Sequence, residues 1–101
     1  MSDTNVSITF EDQGNKARYV ATVPGVAEEA ELTLSKLSDA LWIADHTGVP
    51  DSMRGMGVGK ALVEHLIVEM RAAGRQIMPL CPFVRAQAQK HPEWADVIQQ
   101  R

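Results

Sequence analysis

Apolar residues recur along this chain with two different periods, and the change of period divides it. Up to Val49 the period is two. Val6, Ile8 and Phe10 alternate with Ser7 and Thr9, which predicts a strand with one buried face. Gly14-Asn15, between Glu11 and Lys16, is a turn signal; Ala17 to Val23 is a second strand, and Pro24-Gly25 makes a tight connection. Leu32 and Leu34 alternate with Thr33 and Ser35 in a third strand, Ser38-Asp39 turns the chain, and Leu41 to Val49 forms a fourth. Strands that follow one another through short turns predict an antiparallel meander.

From about Gly57 to Ala73 the period becomes helical. Val58, Leu62, Leu66 and Met70 recur every fourth residue, with Ala61 and Ile67 beside them, which predicts an amphipathic helix about 25 Å long. Lys60, Glu64 and His65 fall on its polar, solvated side, and Gly74 stands where a terminating glycine belongs. Gln76 to Cys81 is a short apolar run, predicted as a fifth strand. Pro82 opens a second helix that runs to about His91, and Pro92 stops it. Trp94, Val97 and Ile98 then pack back on the sheet. The order β-β-β-β-α-β-α predicts an α/β (α+β) fold with a mixed, mostly antiparallel sheet. Its fourth and fifth strands are parallel neighbours with a right-handed crossover.

The chain has 101 residues, enough for a single domain spanning 1–101 but not for a second lobe. A net charge of −3 argues against broad attraction to nucleic acid or an anionic membrane, so any anionic ligand must be held by a local site. The lone Cys81 excludes an intrachain disulfide and fits a reducing compartment. Met1 to Asn5 is polar, without a signal-peptide pattern, and no apolar stretch is long enough to span a bilayer. These features predict a cytoplasmic monomer or small homo-oligomer.

Gly55, Gly57 and Gly59 alternate where the fourth strand gives way to the long helix. Three glycines at a helix start cost about 1 kcal/mol each relative to alanine, so a compensating use is expected. That use is close backbone approach: without Cβ atoms, several N–H groups can point at one anion, and the helix N-terminus adds partial positive charge. Arg54 and Lys60 bracket the loop and add charge-assisted contacts. A Walker A loop is excluded because Arg54 and Ala61 stand where it needs Gly and Ser or Thr. A Rossmann loop is excluded because its third glycine position falls on Lys60 or Leu62.

The pattern that fits is Gln/Arg-x-x-Gly-x-Gly/Ala, here Arg54-Gly55-Met56-Gly57-Val58-Gly59. Val49 to Leu62, Pro79-Leu80-Cys81-Pro82-Phe83-Val84 and Lys90-His91-Pro92-Glu93-Trp94 extend the likeness, so that nearly the whole chain resembles short stand-alone members of the GNAT superfamily of N-acetyltransferases. The resemblance implies that the fourth and fifth strands splay apart and that acetyl-CoA is the co-substrate. Its pantetheine amides would pair with the fourth strand's edge near Thr47 and Val49. Its pyrophosphate would sit on the loop formed by Arg54, Gly55, Met56, Gly57, Val58, Gly59 and Lys60.

Acetyl transfer to an amine needs a base for the amine's proton and an acid for the departing thiolate. Many GNAT enzymes place a tyrosine acid on the helix after the fifth strand, but Phe83 to His91 contains none and Tyr19 is the chain's only tyrosine. Cys81, before a helix N-terminus, is the candidate substitute, as an acid or as a covalent acetyl carrier; otherwise it is a small core cysteine. His46 is the candidate base, imidazole being a common general base, or else a hydrogen-bonded strand histidine. In a regular strand Asp45 and His46 point to opposite faces, and only a bulge would bring them together. No spacing of Cys81, His46 and His91 suggests a metal site. Trp42, Trp94, Met53, Met56, Met70 and Met78 are expected in the packing. The missing tyrosine leaves open a non-catalytic acyl-CoA-binding or sensing module, and the amine acceptor is not legible.

Overall fold

A computed structural model of the chain describes residues 5–99; the reading of Met1 to Thr4 as free of a signal peptide falls outside them. Strands β1 (Ser7–Gln13), β2 (Lys16–Thr22), β3 (Ala30–Lys36) and β4 (Leu41–Gly48) pair successively antiparallel, and β5 (Gln76–Pro79) lies parallel to β4. The sheet order is β1-β2-β3-β4-β5, the meander with one parallel crossover that the periods predict. Helix α1 (Val58–Ala73) makes that crossover and α2 (Pro82–Gln89) follows β5. At the outer edge of β5, Ile77 bridges Ile98 in parallel, with 2.8 Å bonds from Ile77 N to Val97 O and from Gln99 N to Ile77 O.

Alternation decides what is buried. Tyr19, Leu32, Leu34, Trp42 and Ala44 share one face of the sheet and are buried beneath the α1 stripe of Val58, Leu62, Val63, Leu66, Ile67 and Met70. Fully burying one aliphatic side chain contributes about 1.5–3 kcal/mol, so this single interface holds the two layers together. The opposite face carries cross-strand polar pairs. Arg18 bonds Glu11 at 2.7 Å and Glu31 at 2.8 Å, and Lys16 reaches Ser35 at 2.6 Å. Both tryptophans are buried, as are Met53 and Met70.

Boundaries differ from expectation where proline or capping intervenes. β5 stops at Pro79 rather than Cys81, because the next amide, Leu80 N, turns back to Met78 O at 3.1 Å instead of reaching β4. α2 ends at Gln89, since the residue before Pro92 disfavours helical backbone. His91 instead pairs with Glu93 at 2.8 Å and stacks on Trp94, with centroids 4.1 Å apart. That bond holds the Glu93 carboxyl below its usual range. His65 is not fully solvated: it flanks the buried stripe and sets its ring edge-on to Tyr19 at 5.2 Å. A turn of 3-10 helix at Asp51–Met53, unannounced by any period, joins β4 to the glycine loop.

Tyr19 is 3% exposed, and burial, with the Glu69 charge second, pushes its hydroxyl up to about 12. A phenol whose folded value is raised contributes stability that is complete below its ordinary value near 10 and is lost as pH rises toward 12. Tyr19→Phe keeps the ring and removes the titration. Chemical denaturation at stepped alkaline pH should therefore show a shallower loss of stability for the variant between pH 10 and 12; parallel curves would refute the assignment.

Candidate functional site

The β3–β4 ladder slips between Thr33 and Leu34: Thr33 faces His46 while Leu34 faces Ala44, which leaves Asp45 as the extra residue of a β-bulge. Asp45 is tied down on the polar face. Its Oδ2 accepts a 2.6 Å bond from the Ser35 hydroxyl and lies 3.6 Å from Lys16 Nζ. The bulge overturns the strict alternation expected of a regular strand, because Asp45 and His46 now share the polar face. The exposed His46 ring lies along Gly48, where an added Cβ would stand 3.3 Å from Nε2 and 3.9 Å from Glu31. Thr47 returns to the apolar side, opposite Leu32.

Pairing between β4 and β5 ends one residue before the bulge, at Ala44 and Pro79. The last tie is a 2.9 Å bond from the Cys81 amide to the Ala44 carbonyl. Beyond it Asp45 to Gly48 continue β4 with no β5 residue beside them. Cys81 sits at this fork as the N-cap of α2, 3% exposed, with Sγ 3.4 Å from Thr47 Oγ1. The structure thus brings Thr47 and Cys81 together on the apolar side and sets His46 on the other face. Tyr19 lies under α1, away from the fork.

Past the fork, buried Met53 anchors the loop. Gly55 and Gly57 have φ of +82° and +73°, values that favour glycine. Gly57 is the N-cap of α1 and offers no side-chain cap. The first helical bond runs from Ala61 N to Gly57 O at 3.0 Å, so the amides of Val58, Gly59 and Lys60 have no carbonyl within the helix. Val58 is buried, which leaves only its amide for the loop, and Met56 packs partly against the core. Gly59 serves close approach: a Cβ there would lie 2.9 Å from the Phe83 ring and 3.4 Å from Val49 Cγ2. An open cleft of about 380 Å³ results, walled by Val49, Pro50, Gly59, Lys60, Phe83 and Gln87.

Arg54 also lines this cleft, but its guanidinium is bonded to Asp51 at 2.7 Å. Both side chains are largely exposed, so the pair is worth at most about 1 kcal/mol and is easily exchanged for another anion. Phe83 and Gln87 were not anticipated; their spacing of four on α2, which places both on one helix face, was the available signal. Among the described residues no His, Cys, Asp or Glu cluster could hold a metal ion. What the arrangement offers is a positively polarised helix start, an unpaired strand edge and a fork lined by Thr47 and Cys81.

The model of a family described as GCN5-related N-acetyl-transferase matches residues 18–97. Among solved structures, the chain is similar to the NMR structure of a GCN5-like candidate N-acetyltransferase from Staphylococcus aureus. The two share 25% identity and a TM-score of 0.66, over 100% of this chain and 93% of that one. No curated protein matches the chain in sequence.

The two kinds of glycine predict two outcomes. Gly57→Ala forces a Cβ into left-handed backbone and should cost about 1–2 kcal/mol, or roughly 4–8 °C per kcal/mol in the melting midpoint. Gly59→Ala meets only the swinging edge of the partly exposed Phe83, so its midpoint should stay near wild type while the cleft narrows. Differential scanning calorimetry separates them; equal midpoints would contradict this account of the loop.

Proposed function

Since the chain belongs to the GCN5-related N-acetyltransferase family, we propose that it transfers the acetyl group of acetyl-CoA directly to an amine acceptor. The observation that carries this reading is the adjacency of the glycine cleft, which Val49 lines, to the unpaired end of β4 at Gly48. The pyrophosphate fits the amides of Val58, Gly59 and Lys60, the Lys60 ammonium, and an Arg54 released from Asp51. Gly55, Gly57 and Met56 shape the turn that aims those amides. The pantetheine amides find donors and acceptors on the β4 edge from Thr47 toward Val49, and the thioester reaches the fork beside Thr47 and Cys81.

In this mechanism His46 takes the amine's proton as nitrogen attacks the thioester carbonyl. The C–N bond forms, the C–S bond breaks, and the thiolate leaves as a thiol after gaining a proton. Cys81 is the nearest candidate to supply that proton, and its burial disfavours a covalent carrier role that would need wide access. Among the described residues no helix is long and apolar enough to cross a membrane. We place the activity in the cytoplasm, in a monomer or small homo-oligomer.

Acetyl-CoA at about 100 times its dissociation constant should raise the melting midpoint by on the order of 10 °C. ATP and NAD should not match it; if they do, the cofactor assignment is lost. His46→Ala should lower kcat/KM by about 100-fold with unchanged acetyl-CoA affinity by titration calorimetry. Tight acetyl-CoA binding without turnover of any amine would instead favour the acyl-CoA-binding or sensing module.

A further inference from the structure

A second cavity lies on the far side of α2. On an α-helix, residues two apart point about 200° from one another. Phe83 and Gln87 face the glycine cleft; Arg85 and Gln89, each two residues on, face away from it, toward a cavity of about 440 Å³. That cavity is walled by Met78, Pro79 and Leu80 at the end of β5, by Ala88, and by Ile98 of the last segment. Pro79 and Leu80 lead directly to Cys81, so the cavity and the cleft approach the fork from opposite faces of one helix.

The cavity carries one fixed cation. Arg85 Nε donates to the Pro79 carbonyl at 3.3 Å, which orients the guanidinium over the β5 end. Among the described residues no carboxylate lies within ion-pair distance of it. A planar guanidinium fork matches a carboxylate in two parallel bonds. A single cation matches a single negative charge better than a doubly charged phosphate.

We propose that this cavity seats the acetyl acceptor, an amine of about amino-acid size that carries a carboxylate. The carboxylate pairs with Arg85, and the reactive amine points past Pro79 and Leu80 toward the fork. The apolar walls of Met78, Leu80 and Ile98 take the carbon skeleton. This inference rests on the acetyltransferase reading, but the cavity is separate from the acetyl-CoA cleft and can be tested apart from it.

The test compares pairs of small primary amines that differ only in a carboxylate, such as amino acids and their decarboxylated counterparts. Acetylation is followed by CoA release, and amine binding by two-dimensional NMR without acetyl-CoA. The wild type should favour the carboxylated member of a pair in kcat/KM by about tenfold or more. Arg85→Met should collapse that ratio through KM, and Arg85→Lys should restore part of it. Amide shifts at Ala88, Gln89 and Gln99 on adding the amine alone would support the cavity even if acetyl-CoA does not bind, an outcome that would remove only the catalytic reading. A wild type indifferent to the carboxylate, an unchanged ratio in Arg85→Met, or shifts confined to the Arg18–Glu31 face would overturn the proposal while leaving acetyl transfer untouched.

Discussion

One hydrogen bond, from the Cys81 amide to the Ala44 carbonyl, marks where β4 and β5 cease to be a sheet. Its position is set from both sides. On β5, the Leu80 amide turns back to the Met78 carbonyl at 3.1 Å instead of continuing the ladder. On β4, the Asp45 bulge begins immediately after Ala44 and turns the strand under the hold of Ser35 and Lys16. Asp45 to Gly48 therefore keep an edge with no β5 residue beside it, inside a mixed sheet whose strands are otherwise paired. Thr47 and Cys81 meet on one side of that fork and His46 stands on the other.

The rest of the architecture lets so short a chain support such an opening. One helix, α1, buries the apolar side of β2 and β3, with Leu32 and Leu34 against Leu62 and Leu66. The other side of the sheet is finished with ion pairs around Arg18 and a hydrogen-bonded chain from Lys16 through Ser35 to Asp45. The site lies where this two-layer body runs out, between the start of α1 and the start of α2. Its backbone is positioned by core residues, Met53 and Val58, although the cleft itself is open.

Most of this frame was legible because it follows from periodicity. The stripe of Val58, Leu62, Leu66 and Met70 is buried as its spacing predicts, and the three alternating glycines do sit at the helix start. The bulge was not legible: Ala44-Asp45-His46 continues an alternation, and only the slipped pairing with Leu34 and Thr33 reveals the extra residue. For the same reason His46 and Cys81, equally suggestive in sequence, lie on different faces. Phe83 and Gln87 escaped because their significance depends on how closely α2 approaches Gly59, a distance that no local pattern encodes. His65 shows the limit of a two-colour helix reading, since a residue flanking the buried stripe can share its contacts.

The N-cap of α1 carries a wider consequence. Helices usually begin on a serine, threonine or aspartate whose oxygen answers one of the first amides, and losing such a cap costs about 0.5–2 kcal/mol. Here Gly57 can answer none of them. The longest helix of the protein, which is also its main source of buried apolar surface, thus starts incomplete by construction. An anion arriving at the loop would act as the missing first residue of that helix, so that filling the cleft and finishing the fold become one thermodynamic event.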